Sequence, residues 1–532
     1  MSNTAPPPDS GVAKASTAES CSSKDVHLLR QAATDLPESD SGTPAAAAQA
    51  PGESDGSGLN RGLRNRHIQL IALGGAIGTG LFYGAADSIG AAGPAILVCY
   101  LIGGAVIYLI MRALGEMSVH RPTSGAFSEY AHDYWGELPG FVSGWNYWFN
   151  YIAVSMAELS VVGIYVNYWF PSVPSWLSAA VLLVVVTVIN LLHVRAYGEF
   201  EFWFAIVKVI AVIVFLIVGV LMIAGIMGGS SPGTSNWTTG EAPFVNGFGG
   251  VMTVFLVAGF SFQGTELIGV AAGESKDPRS AVPKATRQIF WRIMIFYIGT
   301  VIVMGFLLPY TNENLLAGEL TQVAMSPFTI VLKQAGIGIA ASLMNAVILT
   351  AILSAGNSGL YASTRMLYAL AKDGKASAIF SRTSKRGVPV PAMALTTVVA
   401  ASCFLSSLVG DGTAYTWLVS VSSLCGFIVW LGIAVSHFQF RRAYLKQGNS
   451  LDDLPFRARW YPVGPILAFA LCLTITLGQG WNAVRGADWR GILVAYVGIF
   501  AFVAVWLIHK LVTGARRADL TTASFDIDEN LD

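Results

Sequence analysis

The sequence is poor in charged residues. Asp, Glu, Lys and Arg make up 12% of its 532 residues, against roughly a quarter in an average soluble domain. Hydrophobic residues make up 54%, and a soluble fold has too little interior to bury so many apolar side chains. The shortage of charge therefore excludes an ordinary soluble domain and predicts an integral membrane protein. Basic and acidic residues balance at 32 each, so the net charge gives no reason to expect a nucleic-acid partner.

Signatures of several other protein classes are also missing. The five cysteines are scattered, without the spacing of metal ligands or of a disulfide framework, which excludes a zinc protein and a secreted disulfide scaffold. We therefore expect no metal and no other cofactor. The sequence has no GxxxxGK(S/T) loop, which argues against ATP-driven transport. It also has no HExxH motif and no GxSxG motif with plausible partners, which argues against a membrane enzyme. A solute transporter remains.

The ends of the sequence differ in composition from its middle. Residues 1 to about 60 are rich in Ala, Pro, Ser, Gly and Asp, so they can bury too little apolar surface to offset the entropy of ordering. We predict a disordered cytoplasmic tail over 1–60, a transporter domain over 61–515 and a cytoplasmic tail over 516–532. No charged stretch followed by an apolar one precedes the first span, which argues against a cleaved signal. The long tail is either a solvated leader or a regulatory, partner-binding segment.

Apolar runs long enough to cross about 30 Å of hydrocarbon recur twelve times. The predicted spans are 68–88, 93–117, 140–169, 176–194, 201–227, 248–272, 287–309, 338–362, 391–410, 413–436, 464–484 and 490–513. Nearly all of the 32 Lys and Arg residues fall on one face of this arrangement, and the opposite face has only Lys333, Arg485 and Arg490. By the positive-inside rule the basic face is cytoplasmic, which places both termini inside.

Two of these spans contain glycine and polar residues where a membrane helix is normally apolar. Span 1 reads GGAIGTG over Gly74–Gly80, and span 6 reads GFSFQGTE over Gly259–Glu266. The two spans lie five apart and run in opposite directions, which predicts an inverted repeat of five plus five helices with two trailing helices. Broken helices expose backbone N–H and C=O groups that suit a zwitterion. The alternative is helix packing, since the first break also matches GxxxG.

One lysine lies deep inside a predicted span. Lys208 follows Glu199, at the inner end of span 5, by nine residues, which is roughly 13 Å along a helix. An intramembrane lysine is costly and indicates a function by default. A fixed ammonium replaces a bound cation, and it can lose its proton when buried. We expect Lys208 to take part in proton coupling, with Ser354 of span 8 near it. The alternative is a structural tether that does not titrate.

Two carboxylates also lie within predicted spans. Glu266 follows the break in span 6 by a few residues and precedes Glu274 by eight, which is about 12 Å. Glu158 shares one face of span 3 with Tyr151 and Ser155, because these residues are spaced at i, i+4 and i+7. Carboxylates at this depth need a cationic or hydrogen-bonding partner. They bind a basic substrate, relay protons or hold helices together.

These motifs resemble those of the bacterial amino acid permeases of the amino acid–polyamine–organocation superfamily. The resemblance rests on LNRGLRNRHIQLIALGGAIGTGLF (Leu59–Phe82) and GEFEFWFAIVKVIAV (Gly198–Val212), and it covers about residues 59–515. It implies twelve helices, an inverted five-plus-five fold like that of LeuT, discontinuous helices 1 and 6, and a multi-pass location in the bacterial inner membrane.

Motifs in the second half resemble the lysine-specific members of that superfamily. They are GFSFQGTELIGVAAGESKDP (Gly259–Pro278), LSAGNSGLYASTRMLYALAKDGKA (Leu353–Ala376), WLGIAVSHFQFRRAYLKQG (Trp430–Gly448) and DDLPFRARWYPVGP (Asp452–Pro465). The resemblance implies import of L-lysine by proton symport with alternating access. Together with the residue patterns described above, it gives two predicted sets of site residues. The substrate-binding set is Ile77, Gly78, Thr79, Gly80, Glu158, Phe260, Ser261, Phe262 and Glu266, and the proton-coupling set is Lys208, Glu266 and Ser354.

Spans 3 and 4 resemble aromatic and proline permeases more closely than lysine permeases. The stretch that carries this likeness starts at Met156 and contains Glu158. A permease or exchanger for aromatic, neutral or other basic amino acids therefore stays open, as does a lysine sensor that signals through a partner. The expected partners are L-lysine, protons and membrane lipids. The oligomeric state, a monomer included, is left open.

Overall fold

The computed structural model describes residues 62–74, 77–192, 194–229, 231–312, 326–408, 410–513, 518–521, 523 and 525. The tail predicted over 1–60 and most of the tail predicted over 516–532 lie outside the described residues. The described chain is helical and has no strand, apart from one isolated backbone bridge between Leu63 and Ser275. The prediction of an all-helical protein is confirmed for this part of the chain.

The α-helices occupy most of the described chain. In chain order they are α1 Asn65–Gly74, α2 Thr79–Phe82, α3 Gly84–Ala92, α4 Ile96–His120, α5 Ala126–Tyr134, α6 Glu137–Val166, α7 Ser175–Leu191, α8 Val194–Ile223, α9 Gly247–Phe262, α10 Leu267–Ala272, α11 Pro278–Arg292, α12 Thr300–Leu307, α13 Pro327–Gln334, α14 Ala340–Lys372, α15 Val390–Ala400, α16 Asp411–Lys446, α17 Val463–Gly478, α18 Trp481–Arg485 and α19 Trp489–Thr513. A π-helical stretch, Ile293–Gly299, joins α11 to α12.

Eight helical stretches in the described residues are long and apolar enough to cross a membrane. They are Gly84–His120, Glu137–Val166, Val194–Ile223, Gly247–Ala272, Pro278–Leu307, Ala340–Lys372, Gly412–Lys446 and Trp489–Thr513. Three shorter apolar helices coincide with predicted spans 4, 9 and 11, namely Ser175–Leu191, Val390–Ser406 and Val463–Gly478. The first predicted span is divided among α1, α2 and α3. The chain is thus a multi-pass membrane protein, and the count of twelve spans stays a prediction.

The surface of α8 shows which face of a helix meets lipid. Trp203, Ile210 and Ile217 are 63%, 56% and 56% exposed, whereas Lys208 and Glu201 on the opposite face are 0% exposed. Large apolar side chains at seven-residue spacing would form an unfavourable surface in water. In a bilayer they meet acyl chains, and the polar residues of the helix face the protein interior.

Both predicted breaks coincide with interrupted helices. After α1 the chain is not helical at Ile77 and Gly78, and α2 begins at Thr79. After α9 ends at Phe262, residues 263–266 are not helical, and α10 begins at Leu267. Backbone groups that leave a helix within a membrane are tolerated only where protein or a cavity satisfies them. The two breaks therefore indicate where the buried site lies.

Long helices surround the two breaks. Helix α6 packs along α14 and α16, and α14 also packs against α8. The segment before α1 pairs with the segment after α10, because Leu63 N donates to Glu274 O at 3.1 Å and Lys276 N donates to Leu63 O at 3.0 Å. The chain enters α1 and leaves α10 at the same end of the bundle. This agrees with spans 1 and 6 running in opposite directions.

Candidate functional site

The first break is capped by a carboxylate from α6. Thr79, the first residue of α2, donates from its backbone N to Glu158 Oε1 at 3.2 Å and from its hydroxyl to the same oxygen at 3.0 Å. An N–H group at the start of a helix favours an anion. Glu158 is buried, and its second oxygen, Oε2, has no hydrogen-bond partner in the described part of the chain. One carboxylate oxygen is therefore available to a ligand.

Two glycines in the first break allow close approach of the neighbouring helices. A Cβ atom at Gly78 would lie 2.7 Å from Glu158 Oε1, and a Cβ atom at Gly80 would lie 2.7 Å from Ser261 Oγ and 2.9 Å from the Phe260 ring. Contacts under 3.0 Å force neighbouring atoms to shift. Glycine at these positions lets the first break lie directly against α6 and α9.

The second break surrounds Glu266 with neutral donors. The Tyr151 hydroxyl donates to Glu266 Oε1 at 2.6 Å, and the Thr265 hydroxyl donates to Glu266 Oε2 at 3.2 Å. Longer hydrogen bonds come from Gly264 N at 3.4 Å and from Trp430 Nε1 at 3.4 Å. Both oxygens of Glu266 are thus occupied, in contrast to those of Glu158.

A small cavity of about 20 Å³ lies between the two breaks, α6 and α14. Its lining residues are Gly78, Gly80, Tyr151, Val154, Glu158, Phe260, Ser261, Gln263, Gly264, Ala355 and Ser358. A small concave site with few polar groups and broken backbone is the usual form of a ligand pocket in a helical membrane protein. Five of the predicted substrate-binding residues line it: Gly78, Gly80, Glu158, Phe260 and Ser261.

The other four predicted substrate-binding residues do not line this cavity. Thr79 donates to the lining residue Glu158, Ile77 is buried at the break, and Glu266 accepts from the lining residue Tyr151. The Phe262 ring packs on the far side of α9, with its centroid 4.7 Å from that of Tyr297 and 5.6 Å from that of Tyr100. Phe260, two positions before Phe262 in α9, contributes the aromatic wall of the cavity instead.

A group of aromatic residues packs beside α2 and against Phe260 of the cavity wall, and the sequence analysis did not predict it. The Tyr415 hydroxyl donates to Thr79 Oγ1 at 3.2 Å, and its ring lies edge-on to Phe260 and to Tyr83, with centroids 6.3 and 5.0 Å away. Tyr165 completes the group, 6.4 Å from Tyr83. Only the tertiary fold reveals this contact, because Tyr415 lies more than three hundred residues from Thr79.

Lys208 lies in a buried polar network between α8 and α14. Its Nζ donates to Ser354 Oγ at 2.9 Å, the contact predicted from the sequence. Ser354 in turn donates to Glu201 Oε2 at 2.6 Å, and Asn357 Nδ2 donates to Glu201 Oε1 at 2.8 Å. Asn190 of α7 extends the network by donating to Asn357 Oδ1 at 2.7 Å. Lys208 also interacts electrostatically with Glu158.

Glu201 is the functional candidate that sequence analysis missed. It is fully buried and supplies the carboxylate nearest to Lys208 along α8. The signal was present in the spacing, because residues seven apart share a helix face. The sequence analysis used Glu199 to mark the inner end of span 5. In the structure Glu199 pairs with Arg66 at the surface.

A third buried carboxylate has a different set of partners. Glu116 of α4 accepts from Arg441 Nε at 2.5 Å and from Arg441 Nη2 at 2.7 Å, and Ala458 N donates to its Oε2 at 2.6 Å. Arg441 also donates to Ala458 O at 2.9 Å. This bidentate pair, which we call the Glu116–Arg441 clamp, fixes the segment after α16 against α4.

Together these features are those of a multi-pass membrane protein built around a buried cavity. The bundle exposes an apolar surface, spans a membrane several times and holds a buried cavity with polar lining between two interrupted helices. In the described residues no three His, Cys, Asp or Glu side chains form a group that could hold a metal ion.

The chain belongs to the amino acid permease family, whose model matches residues 67–521. It is therefore a transporter and not an enzyme, as predicted. The resemblance seen in the motifs is confirmed.

Three curated relatives show how far the similarity extends. The lysine-specific permease of Escherichia coli strain K12 is 49% identical over 87% of this chain and 96% of its own length. The lysine-specific permease of Lactococcus lactis is 47% identical over 85% of this chain and 90% of its own length. The histidine permease of Lactococcus lactis is 43% identical over 85% of this chain and 95% of its own length.

Proposed function

We propose that this protein imports L-lysine across the inner membrane of a bacterium by proton symport with alternating access. Two relatives, at 49% and 47% identity, are lysine-specific permeases that align over 96% and 90% of their own length. The proposed architecture has twelve spans, an inverted repeat of five plus five helices, two trailing helices and cytoplasmic termini. The two interrupted helices and the sorting of basic residues support it.

The observation that carries the proposal is the hydrogen bonding of the Glu158 carboxylate. One of its oxygens accepts from Thr79, and the other has no hydrogen-bond partner among the described residues. Glu158 accepts a hydrogen bond from the Thr79 N–H group at the first break, the donor proposed for the substrate carboxylate. An incoming amino acid exchanges its own α-carboxylate for that of Glu158 at this donor. The displaced Glu158 then turns its oxygens to the cavity, where it pairs with the lysine ε-ammonium. One anion replaces another, so Thr79 stays hydrogen-bonded throughout.

The α-ammonium group is proposed to bind at the second break. Phe260 and Ser261 line the cavity in the last turn of α9, which ends at Phe262. Carbonyl groups at the C-terminal end of a half-helix favour a cation. Lysine then has a partner for each of its three charges: the start of α2, the end of α9, and Glu158.

Proton coupling is proposed to involve the Lys208 network. The ammonium of Lys208 is joined to Glu201 through Ser354 and acts electrostatically on Glu158. A change in the protonation of Lys208 alters the field at the first break, and therefore the affinity for substrate. Glu266 is a second proposed proton carrier, linked to the cavity by the Tyr151 hydroxyl.

The first experiment measures labelled L-lysine uptake by proteoliposomes with and without an inward proton gradient. We expect accumulation only with the gradient, inhibited by unlabelled lysine and not by phenylalanine, proline or histidine. Inhibition by a neutral or aromatic amino acid would contradict lysine specificity. Stimulation by internal amino acid without any proton dependence would show an exchanger instead.

Variants separate the coupling role from folding. We expect Lys208→Ala to lose gradient-driven accumulation by at least about tenfold, because no movable proton remains at that position. Lys276→Ala is the matched control, since Lys276 is exposed. Lysine accumulation against a gradient by Lys208→Ala would contradict the coupling role. Equal loss in a Glu201→Gln variant would support a joint role for the two residues.

A second candidate function keeps the fold and changes the cargo. The histidine permease at 43% identity shows that relatives with other cargo are almost as similar. The competition panel distinguishes the two candidates, because histidine is one of its members.

A further inference from the structure

One buried cation takes no part in the site described so far. Arg292 ends α11, is 1% exposed, and none of its three guanidinium nitrogens has a hydrogen-bond partner in the part of the chain that the structure describes. Arginine cannot lose its proton in a protein, so the group stays charged and offers five donors. A buried charge without acceptors is strongly destabilising. An acceptor is therefore expected in at least one state of the working protein.

Glu266, the carboxylate that acts electrostatically on Arg292, does not fill this need. Glu266 attracts Arg292 electrostatically, whereas Lys208 repels it. Yet both oxygens of Glu266 already accept from neutral donors, including the Tyr151 hydroxyl at 2.6 Å and Thr265 Oγ1 at 3.2 Å. The guanidinium thus lies in the field of the second break without a direct partner there.

Arg292 lies between the second break and one end of the bundle. The Tyr297 hydroxyl donates to Ser261 O at 2.7 Å, so Tyr297 lies level with the second break. Arg292 precedes Tyr297 by five residues, roughly 7 Å toward the start of α11. That start follows Ser275, which pairs with Leu63 just before α1. Arg292 is therefore displaced from the cavity toward the end that the charge distribution makes cytoplasmic.

The local backbone differs from that of an ordinary helix. A π-helical stretch, Ile293–Gly299, starts directly after Arg292. Such stretches are rare and occur frequently at functional sites. Helix α11 packs against α1 and α4, so Arg292 belongs to an element that contacts the helix preceding the first break.

We propose that Arg292 forms an anion site that binds the α-carboxylate of the transported amino acid between the cavity and the cytoplasmic side. The inference rests on the proposed function, since it needs an amino acid that passes through. The guanidinium fork matches a carboxylate with two parallel hydrogen bonds. The attraction of Glu266 for the substrate's ammonium groups would hold the zwitterion beside it. A free anion such as chloride offers the same chemistry and is distinguished in the test.

The test compares Arg292→Gln and Arg292→Lys with Arg287→Gln, a matched control at an exposed position of the same helix. Two quantities are measured: the dissociation constant for lysine in detergent, and lysine–lysine exchange in proteoliposomes with chloride or gluconate. We expect Arg292→Gln to keep the dissociation constant within about threefold and to slow exchange at least about tenfold, because only the passing carboxylate loses its partner. Arg292→Lys should be intermediate and Arg287→Gln unchanged. The wild type should exchange equally in both salts.

Other outcomes overturn the assignment. Lysine–lysine exchange at the wild-type rate by Arg292→Gln would exclude an anion site on the substrate's path to the cytoplasmic side. Exchange that falls in gluconate for the wild type, and not for Arg292→Gln, would assign the site to an inorganic anion and exclude the substrate carboxylate. If Arg292→Gln does not fold, Arg292→Lys decides, since it keeps the charge and loses the fork: a wild-type rate overturns the proposal and slowing of at least about threefold supports it. If the wild-type protein transports none of the amino acids tested, the proposed function itself is wrong.

Discussion

Glu158 and Glu116 are both buried carboxylates inside the bundle, and they differ in how their oxygens are used. Glu116 gives both oxygens to Arg441 and one of them also to Ala458 N. Glu158 gives one oxygen to Thr79 and has no hydrogen-bond partner for the other in the described chain. The first arrangement joins elements permanently, and the second leaves room for a ligand.

The comparison teaches that burial alone does not identify a substrate site. A buried charge with a complete partner set is costly to disturb and has no capacity for another group. A buried carboxylate with an open oxygen beside a cavity has that capacity. The substitutions below test whether the difference in partners produces a difference between stability and transport.

The largest expected effect is on stability, at the Glu116–Arg441 clamp. Glu116→Ala should lower the free energy of unfolding by about 3–5 kcal/mol, because it leaves the Arg441 guanidinium buried without its carboxylate. The melting temperature in detergent measures this loss. The double variant Glu116→Leu with Arg441→Met should recover much of it. Uptake per folded molecule that falls more than about threefold in the double variant would show that Glu116 also serves transport.

The next effect is on transport, at Glu158. Glu158→Gln should reduce lysine uptake by about 30-fold to 1000-fold, since loss of a buried charged partner costs about 2–4 kcal/mol. The amide oxygen still accepts from Thr79, so the melting temperature should change little. Uptake kinetics and thermal melting on the same preparation check both statements. Near-normal lysine uptake by Glu158→Gln would remove Glu158 from the substrate site.

A smaller effect is expected above the first break. Tyr415→Phe removes the hydroxyl that donates to Thr79 Oγ1 and keeps the ring against Phe260. A single hydrogen bond contributes about 1 kcal/mol, so KM for lysine should rise by about fivefold. Tyr496→Phe is a control, because the Tyr496 hydroxyl donates to Leu477 O at an exposed position. An unchanged KM would show that Tyr415 acts through its ring alone.

The smallest effect is expected at an exposed ion pair. Arg457 Nη1 donates to Asp452 Oδ1 at 2.8 Å, and the Asp452 side chain is 89% exposed. Exposed pairs contribute about 0–1 kcal/mol, so Asp452→Asn should leave melting temperature and uptake within error. A marked loss of either would mean that the segment beside the Glu116–Arg441 clamp has a role beyond packing.

Much of the fold could be predicted from the sequence because membrane helices follow simple rules. Apolar length located the helices, and glycine with polar residues located both interruptions at Gly78 and Gln263. Seven-residue and four-residue spacing placed Tyr151 and Glu158 on one face, and both now lie at the breaks. The contact between Lys208 and Ser354 was also predicted, since Lys208 lies deep in span 5 and Ser354 lies on a polar face of span 8.

The remaining site residues depend on contacts between distant helices. Tyr415 meets Thr79 only because α16 crosses the first break. Arg292 lies near the start of a predicted span, where a basic residue usually reaches the surface, yet it is buried. Phe262 and Phe260 have the same residue type two positions apart, so composition could not decide which one faces the cavity. Which of these side chains is buried or faces the cavity depends on packing between distant helices, and the local sequence pattern does not predict that packing.

The contact between Glu158 and Thr79 has a consequence for the products of amino acid breakdown. Decarboxylated lysine, a diamine with the same carbon chain, has two cationic ends and no carboxylate. It can offer Glu158 an ammonium, yet it has no group with which to replace Glu158 at the Thr79 N–H. If the proposed exchange of anions at Thr79 operates, we expect the carrier to reject diamines.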